Sequence, residues 1–430
     1  MKAWRHLTAA LLGLVSLGGC VTTGGPGGGQ GTSQTTSQAT NPQASIAPTA
    51  VPAGPAPLAV DLARTPYETA KLRHNAQPAR ATLEGSLWMM SDNAETTIRQ
   101  GAGIVTDPAL NAYVGGLVCK LAGPYCGEIR THIVRVPDFN ASMYPNGAMV
   151  VWTGLLLRVR NEAQLAAVLA HEIGHYMQRH TVQRMEDIYT KSNALIFVQM
   201  ATIAAGIPAA GDLIQLATLA SVASFSRESE TEADDVSLRL LVQYGYDPSE
   251  ASRLWSQVME ESAADKDRSR RSIFFASHPA SENRADRLAR QAAFALPQIG
   301  ATEAGRDRYR AAIAPHLASF VRDEFRMRNM DRLEVVLNQL SREDFNRGEI
   351  NFYQGELYRV RNAANDNVKA LQFYDASIKA PVHPPEVYRS LGQAYLRAGQ
   401  KSDANRAFQE YLLRAPDAAD RKLIEAMMGS

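Results

Sequence analysis

The sequence predicts an α+β protein, in which a mostly helical domain with a small sheet is followed by an α-helical repeat domain. Three observations lead to this prediction. A helix pattern with two histidines lies at 161–176, a short β-rich run precedes it at 147–153, and helical spacings of aromatic and small residues recur after residue 350. Because the chain has 430 residues, it is long enough for two or three domains of about 150 residues each.

The composition is that of an ordinary globular protein. Lys and Arg number 45 against 44 Asp and Glu, so the formal net charge is +1. This balance argues against a basic face that binds nucleic acid, and we expect no nucleic-acid partner. The three cysteines are too few for a disulfide scaffold.

Residues 1–19 have the pattern of an export signal. Lys2 and Arg5 precede an apolar run from Leu7 to Leu17. This run is too short to span a bilayer, which needs about 20 apolar residues. We therefore expect export and not a membrane-spanning helix at this end of the chain.

The sequence Leu17-Gly18-Gly19-Cys20 resembles the bacterial lipobox, which predicts cleavage before Cys20 and lipid on that cysteine. The alternative is an ordinary secretory signal with an incidental cysteine. Residues 20–60 are predicted to form a flexible tether, because 21–60 contain no charged residue and consist mainly of small and polar types.

Cys119 and Cys126 are predicted to form a structural disulfide. Export would place them in an oxidising compartment, and the Gly123-Pro124 turn signal between them can bring the two sulfur atoms together. Two buried free thiols are the alternative.

The central motif is His171-Glu172-Ile173-Gly174-His175. A capping pattern at 161–164 predicts that the motif lies on a helix, where positions i and i+4 share one face. His171 and His175 can then bind one metal ion, and Glu172 beside them can accept a proton from water. Such a pattern arises by chance in roughly 1% of chains of this composition, so the sequence predicts a zinc site.

A zinc site needs a third protein ligand, and the acidic run at 228–234 can supply it. Glu230 and Asp234 share one helix face, so Glu230 is predicted to bind the metal and Asp234 to accept a hydrogen bond from a ligand imidazole. Glu228 and Glu232 remain alternatives for the ligand.

These motifs resemble the HtpX and CAAX-prenyl-protease type of zinc endopeptidase. The resemblance covers about residues 75 to 295. It rests on His171-Glu172-x-x-His175, Ser226-Arg227-x-x-Glu230-x-x-Ala233-Asp234, Asn140-Ala141, Pro145-x-Gly147, Gly154-Leu155-Leu156 and His278-Pro279 with Arg284. It implies a zincin-like fold, one zinc ion per chain and Glu230 as the third ligand. With the lipobox and the repeats, the chain is similar to the periplasmic branch of that family, which implies quality control of outer-membrane proteins.

In the mechanism that this resemblance implies, Glu172 takes a proton from water and returns it to the leaving amine. A second donor is needed for the oxyanion, and His278, Arg284 and Tyr176 are the candidates. His278 could instead be a fourth zinc ligand in the resting enzyme, or a packing residue. His180 lies off the ligand face and is predicted to be at the surface.

Two further segments are open to alternatives. Residues 147–153 are predicted to form a strand whose exposed edge pairs with an extended substrate; the alternative is an interior strand. Residues 192–211 carry no charge, and we expect a helical hairpin at this place in preference to a membrane span.

The C-terminal part has the offsets of tetratricopeptide repeats, at Tyr388, Leu391, Gly392, Tyr395, Ala404, Phe408 and Pro416. A weaker copy lies upstream at Gly355, Tyr358, Ala370, Tyr374 and Pro381, with an insertion at 361–367 that predicts an inter-helix loop. Residues 306–340 are predicted to cap the stack. Such repeats leave a concave surface that commonly binds peptides or partner proteins.

The sequence therefore predicts a signal peptide at 1–19, a lipidated tether at 20–60, a zinc metallopeptidase domain at 61–298 and a helical repeat domain at 305–430. We expect a periplasmic zinc endopeptidase, anchored to the outer membrane through Cys20, that acts on unfolded or extended protein substrates. The repeat domain is expected to contact the outer-membrane assembly machinery. The alternatives are a chaperone or assembly scaffold and an integral-membrane peptidase.

Overall fold

The computed structural model describes residues 60–191, 225–265, 273–278 and 282–429. The predicted signal at 1–19, Cys20, nearly all of the tether and the apolar segment at 192–211 lie outside the described residues.

The sheet has three strands, which are β1 (Arg130–Val134), β2 (Ala141–Met143) and β3 (Ala148–Trp152), in the order β1-β3-β2. β1 is parallel to β3, and β2 is antiparallel to it. Gly147 has a φ of +88° in the turn between β2 and β3, a conformation that glycine adopts without strain. The predicted strand is confirmed, but the prediction of an exposed edge is wrong, since both other strands pair with β3 and all of its residues are buried.

The described residues up to 298 also form nine α-helices, of which the first four contact this sheet. They are α1 (Leu83–Gln100), α2 (Pro108–Ala122), α3 (Thr153–Arg158), α4 (Glu162–Met177), α5 (His180–Lys191), α6 (Arg227–Gln243), α7 (Ser249–Ala264), α8 (Ile273–Ser277) and α9 (Glu282–Ala295). A disulfide joins Cys119 in α2 to Cys126, as predicted.

Helix α4 is the centre of this part of the molecule, because every one of its residues is buried. Its predicted start is confirmed: the side chain of Asn161 caps the helix by accepting a hydrogen bond from the backbone N–H of Gln164 at 2.8 Å. At Gly174, α4 lies so close to α6 that a Cβ atom there would be 3.1 Å from the Cα of Ala233. A small residue at position 174 therefore lets the two helices approach closely.

Eight helices follow in the C-terminal part. They are α10 (Arg306–Ile313), α11 (Leu317–Met327), α12 (Met330–Ser341), α13 (Arg347–Arg361), α14 (Asp366–Ile378), α15 (Glu386–Arg397), α16 (Lys401–Arg414) and α17 (Arg421–Gly429). The pairs α13–α14 and α15–α16 repeat one contact. Gly355 faces the ring of Tyr374, and Gly392 faces the ring of Phe408 in the same way, so close that a Cβ atom would overlap the ring.

One hydrophobic core joins α10–α16 to α2, α3, α4 and α6–α9. A buried ion cluster joins them as well: Arg158 in α3 contacts Glu261 in α7 at 2.7 Å and Glu324 in α11 at 2.6 Å. Among the helices that the structure describes, none combines the length and the apolar character needed to cross a bilayer.

Candidate metal centre

Helices α4 and α6 bring the three predicted ligands together. The Nε2 atoms of His171 and His175 lie 3.1 Å apart, as expected for positions i and i+4 on one face. The carboxylate of Glu230 lies 3.5 Å from His171 Nε2 and 3.4 Å from His175 Nε2. The close approach of α4 and α6 at Gly174 puts Glu230 within this reach.

His278 joins the cluster from the end of α8. Its Nδ1 lies 3.3 Å from His171 Nε2 and 2.9 Å from the Glu230 carboxylate, and its Nε2 lies 3.5 Å from Glu172. Its ring stacks on Phe274 with 4.7 Å between ring centres. One ligand atom from each of His171, His175, Glu230 and His278 lies within 4.8 Å of the others, and all four side chains are buried.

The chemistry of this donor set fits a metal ion. Imidazole nitrogens and carboxylate oxygens are zinc ligands, and two histidines with one glutamate form a known catalytic zinc site. Burial and Arg284 by themselves lower the pKa of His171, but Asp234 and Glu230 raise it to about 9, so the surroundings favour positive charge at this point. Burial lowers the pKa of His175 well below its ordinary value, which favours the neutral form that binds metal.

Glu172 lies beside the cluster and is 2% exposed. Burial raises the pKa of its carboxyl group, which moves it toward the range in which a general base works at neutral pH. Its Oε1 atom makes no hydrogen bond with a described residue, and the nearest imidazole nitrogen, His278 Nε2, lies 3.5 Å away. This carboxylate oxygen is therefore available to a water molecule beside the metal site.

The predicted partner of a ligand imidazole is in position, since Asp234 lies 3.0 Å from His171 Nδ1. Arg284 donates to Asp234 at 2.8 and 2.6 Å and also contacts Glu230, while Arg287 makes a further ion pair with Asp234. Burial alone would raise the pKa of Asp234, but Arg284 and His171 hold it below its ordinary value. Asp234 therefore remains ionised and can accept a hydrogen bond from His171. Arg284 forms ion pairs with both Asp234 and Glu230.

Two of the other candidates make their polar contacts elsewhere. The hydroxyl of Tyr176 donates to Glu128 at 3.4 Å, although its side chain lines a small cavity together with His175. Glu228 is exposed. These positions favour neither residue for a part in the chemistry.

The prediction that His180 lies at the surface is wrong, because this side chain is 1% exposed. Its Nδ1 lies 2.9 Å from His175 Nδ1, and its Nε2 lies 3.0 Å from Glu232. Sequence reasoning missed it because His180 belongs to the next helix, after Arg179 with its φ of +58°. A sequence signal for it was available, because His180 near the motif and Glu232 in the acidic run could form a second histidine–carboxylate pair.

A family model described as Peptidase family M48 matches residues 127–292, which include all four cluster residues. Residues 127–292 form an M48 peptidase domain. This match confirms the predicted resemblance to the HtpX and CAAX-prenyl-protease type of peptidase as a resemblance of family. The metallopeptidase prediction is likewise confirmed for the M48 domain.

Curated relatives have sequences similar to part of this chain. Mitochondrial metalloendopeptidase OMA1 of Schizosaccharomyces pombe is 34% identical over 36% of this chain and 43% of its own length. Beta-barrel assembly-enhancing protease of Escherichia coli K12 is 29% identical over 48% of this chain and 44% of its own. Metalloendopeptidase OMA1 of Bos taurus is 31% identical over 48% and 41%. The chain thus spans less than half the length of these relatives.

Proposed function

We propose that this protein is a zinc-dependent endopeptidase of the cell envelope. The observation that carries the proposal is the buried group of His171, His175, Glu230 and His278, with ligand atoms within 4.8 Å of one another beside the carboxylate of Glu172. The M48 domain supports it, and so do the relatives named as metalloendopeptidases.

The side chains of the cluster would divide the chemistry among them. His171, His175 and Glu230 would hold a zinc ion, which when bound would lower the pKa of water and polarise the carbonyl group of the scissile bond. Glu172 accepts the proton of the attacking water and returns it to the leaving amine. Asp234 holds the His171 ring in the tautomer that leaves Nε2 free to bind.

His278 is proposed as a fourth ligand in the resting enzyme, which would exclude water until substrate displaces it. Its 2.9 Å distance to Glu230 and 3.3 Å distance to His171 support this role over simple packing. We expect that His278→Ala retains zinc and changes the rate of proteolysis. An unchanged rate would remove His278 from the mechanism.

The substrate is proposed to bind as an extended chain along β2. The outer side of β1 is covered, because the N–H of Val105 donates to the carbonyl of Ile133 and that of Arg135 to the carbonyl of Gly103. β2 is the other outer strand, it lies against α4, and the cavity at its end is lined by Met143 and His175. Pairing through the backbone would favour unfolded or extended clients of varied sequence.

The envelope setting is part of the proposal. The lipobox at Cys20 supports a lipid anchor, and the similarity to beta-barrel assembly-enhancing protease supports misfolded or stalled outer-membrane proteins as clients. The repeat spacing and the recurring glycine–aromatic contact of α13–α16 support tetratricopeptide-like repeats that bind these clients or the assembly machinery.

The deciding experiment measures zinc content and casein cleavage for the wild type and Glu172→Gln. We expect about one zinc ion per chain in both, with cleavage reduced about 10²- to 10⁴-fold in the variant, the usual contribution of a general base. Glu250→Gln, at a buried glutamate of α7 outside the cluster, is the matched control and should cleave like the wild type.

Two results would contradict the proposal. One is a wild type, purified without chelators, that holds no stoichiometric metal. The other is a Glu172→Gln variant that cleaves casein at the wild-type rate. Retained client binding by an inactive Glu172→Gln would agree with an enzyme and not with a scaffold whose proteolysis is incidental.

A further inference from the structure

The two histidines on α4 are supported in different ways. His171 contacts a carboxylate directly, since its Nδ1 lies 3.0 Å from Asp234. The Nδ1 of His175 faces a second imidazole instead, that of His180, at 2.9 Å. His180 in turn contacts Glu232 at 3.0 Å, and Glu232 contacts Lys71 at 3.0 Å. A row of four side chains therefore runs from the cluster to the surface.

The proton positions along this row follow from the carboxylate. Ionised Glu232 can only accept, so the Nε2–H of His180 donates to it. In a neutral imidazole the other nitrogen carries a lone pair, so the Nδ1 of His180 accepts the Nδ1–H of His175. The Nε2 lone pair of His175 is then left for the metal.

We infer that His180 and Glu232 are positioning residues that set the tautomer and orientation of His175 for metal binding. This inference rests on the proposed zinc site. It gives each histidine of the motif its own carboxylate on α6, Asp234 directly for His171 and Glu232 through His180 for His175. Each acidic residue of the alternating run then has a role. Glu230 is a proposed ligand, Asp234 contacts His171, and Glu232 acts on His175 through His180.

The row is held in place by backbone contacts near its outer end. The N–H groups of Lys71 and Leu72 donate to the carbonyl of Met177, the last residue of α4, at 3.0 and 2.9 Å. The Lys71 and Glu232 side chains are 45% and 39% exposed, whereas His180 is 1% exposed. Because exposed ion pairs contribute little, Lys71 is expected to matter less than Glu232.

The experiment measures the zinc dissociation constant of the full-length chain by chelator competition. His180→Phe fills the space of the ring but removes the acceptor, and we expect it to weaken zinc binding about 10- to 100-fold. His180→Gln offers a carbonyl to His175 and an amide to Glu232, so it should recover most of that loss. Glu232→Ala should weaken binding about tenfold.

A double-variant cycle separates a relay from two independent effects. If Glu232 acts through His180, then adding Glu232→Ala to His180→Phe changes the dissociation constant no further. His132→Gln is the matched control, because His132 is also paired with a glutamate, Glu95, at 2.8 Å, but lies on β1. Its zinc affinity should equal that of the wild type.

The inference is overturned if folded His180→Phe, or Glu232→Ala at its partly exposed position, binds zinc like the wild type. It is also overturned if the two losses multiply fully in the double variant. With either result, the proposed peptidase function still holds if the wild type binds zinc and cleaves casein. A wild type without zinc would defeat both proposals.

Discussion

Two of the buried charge clusters in the described part of the chain differ in the partners that their charges have. In the cluster of Arg158, Glu261, Glu324 and Arg332, cations and carboxylates contact one another at 2.6 to 3.8 Å. In the metal centre, ligand atoms of three imidazoles and Glu230 lie within 4.8 Å of one another, and the Oε1 of Glu172 beside them makes no hydrogen bond with a described residue. The first cluster pairs its cations and carboxylates within the chain, while the second also places a set of metal ligands together. Buried charges can therefore join helices or bind a ligand. The side chains that surround them indicate which of the two roles they have.

We expect the largest effect on stability from a variant that removes Arg158 from its cluster with Glu261 and Glu324. Arg158→Leu leaves Glu261 and Glu324 buried without their main cation, so the free energy of unfolding should fall by about 3–5 kcal/mol. Urea denaturation measures this. Arg135→Ala removes a half-exposed arginine that joins the same two parts of the chain through Asp323, and it should cost less than about 1 kcal/mol. Equal losses in the two variants would contradict the contrast.

Removal of metal should act on the other cluster alone. A ligand present at about 100 to 1,000 times its dissociation constant stabilises a fold by about 2.7–4.1 kcal/mol, so chelation should lower the Tm of the wild type. Calorimetry with and without chelator checks this. His171→Ala should start from the lower Tm and show no further change with chelator. If the Tm of the wild type is the same with and without chelator, the centre holds no stabilising ion.

The spacing of α4 and α6 should matter for the centre and little for the rest of the fold. In Gly174→Ala, the new Cβ lies 3.1 Å from Ala233 and must push α6 away by a few tenths of an ångström. We expect a roughly three- to tenfold loss of casein cleavage, since small displacements of catalytic groups are costly. Gly116→Ala in α2, where a Cβ would meet nothing within 4 Å, is the control and should cleave normally.

A further cluster, in which buried Glu95 contacts His132 and the half-exposed Arg130, allows a comparison by pH. Burial alone raises the pKa of Glu95, but Arg130 and His132 outweigh it and lower the pKa from 4.5 to about 2. A lowered pKa in the folded state stabilises the protein above pH 4.5, and this contribution disappears as the pH falls toward about 2. Glu95→Gln should therefore cost about 1 kcal/mol at pH 7, because Arg130 is half-exposed.

The difference between wild type and Glu95→Gln in urea denaturation should shrink steadily between pH 4.5 and about 2. A difference that is constant over this range would show that the charge of Glu95 is not what stabilises the fold.

Local pattern was sufficient for several features. The cap at Asn161, the strand before α4 and the break between α13 and α14 were predictable, because each depends on residues within one turn or one strand. The ligand face of His171 and His175 was predictable for the same reason, since helix geometry sets it. Asp234 followed from sharing a face with Glu230.

Other features depended on partners that are distant in sequence. Whether β3 is an edge or an interior strand is decided by the pairing of β1 and β2, which the strand's own residues do not encode. The burial of His180 depends on a turn at Arg179 and on Glu232, 52 residues later.

The sequence by itself determined a helix with two histidines and a glutamate on it, the acidic run that faces it and the helical spacing of the C-terminal part. Helix period and side-chain chemistry act over a few residues, so they can be read directly from the chain. Only the tertiary structure decided that His278 enters the centre, that His180 contacts His175 and that β2 is an outer strand of the sheet. Each of these depends on packing between segments that are far apart in the chain, and that packing is set by the shared core.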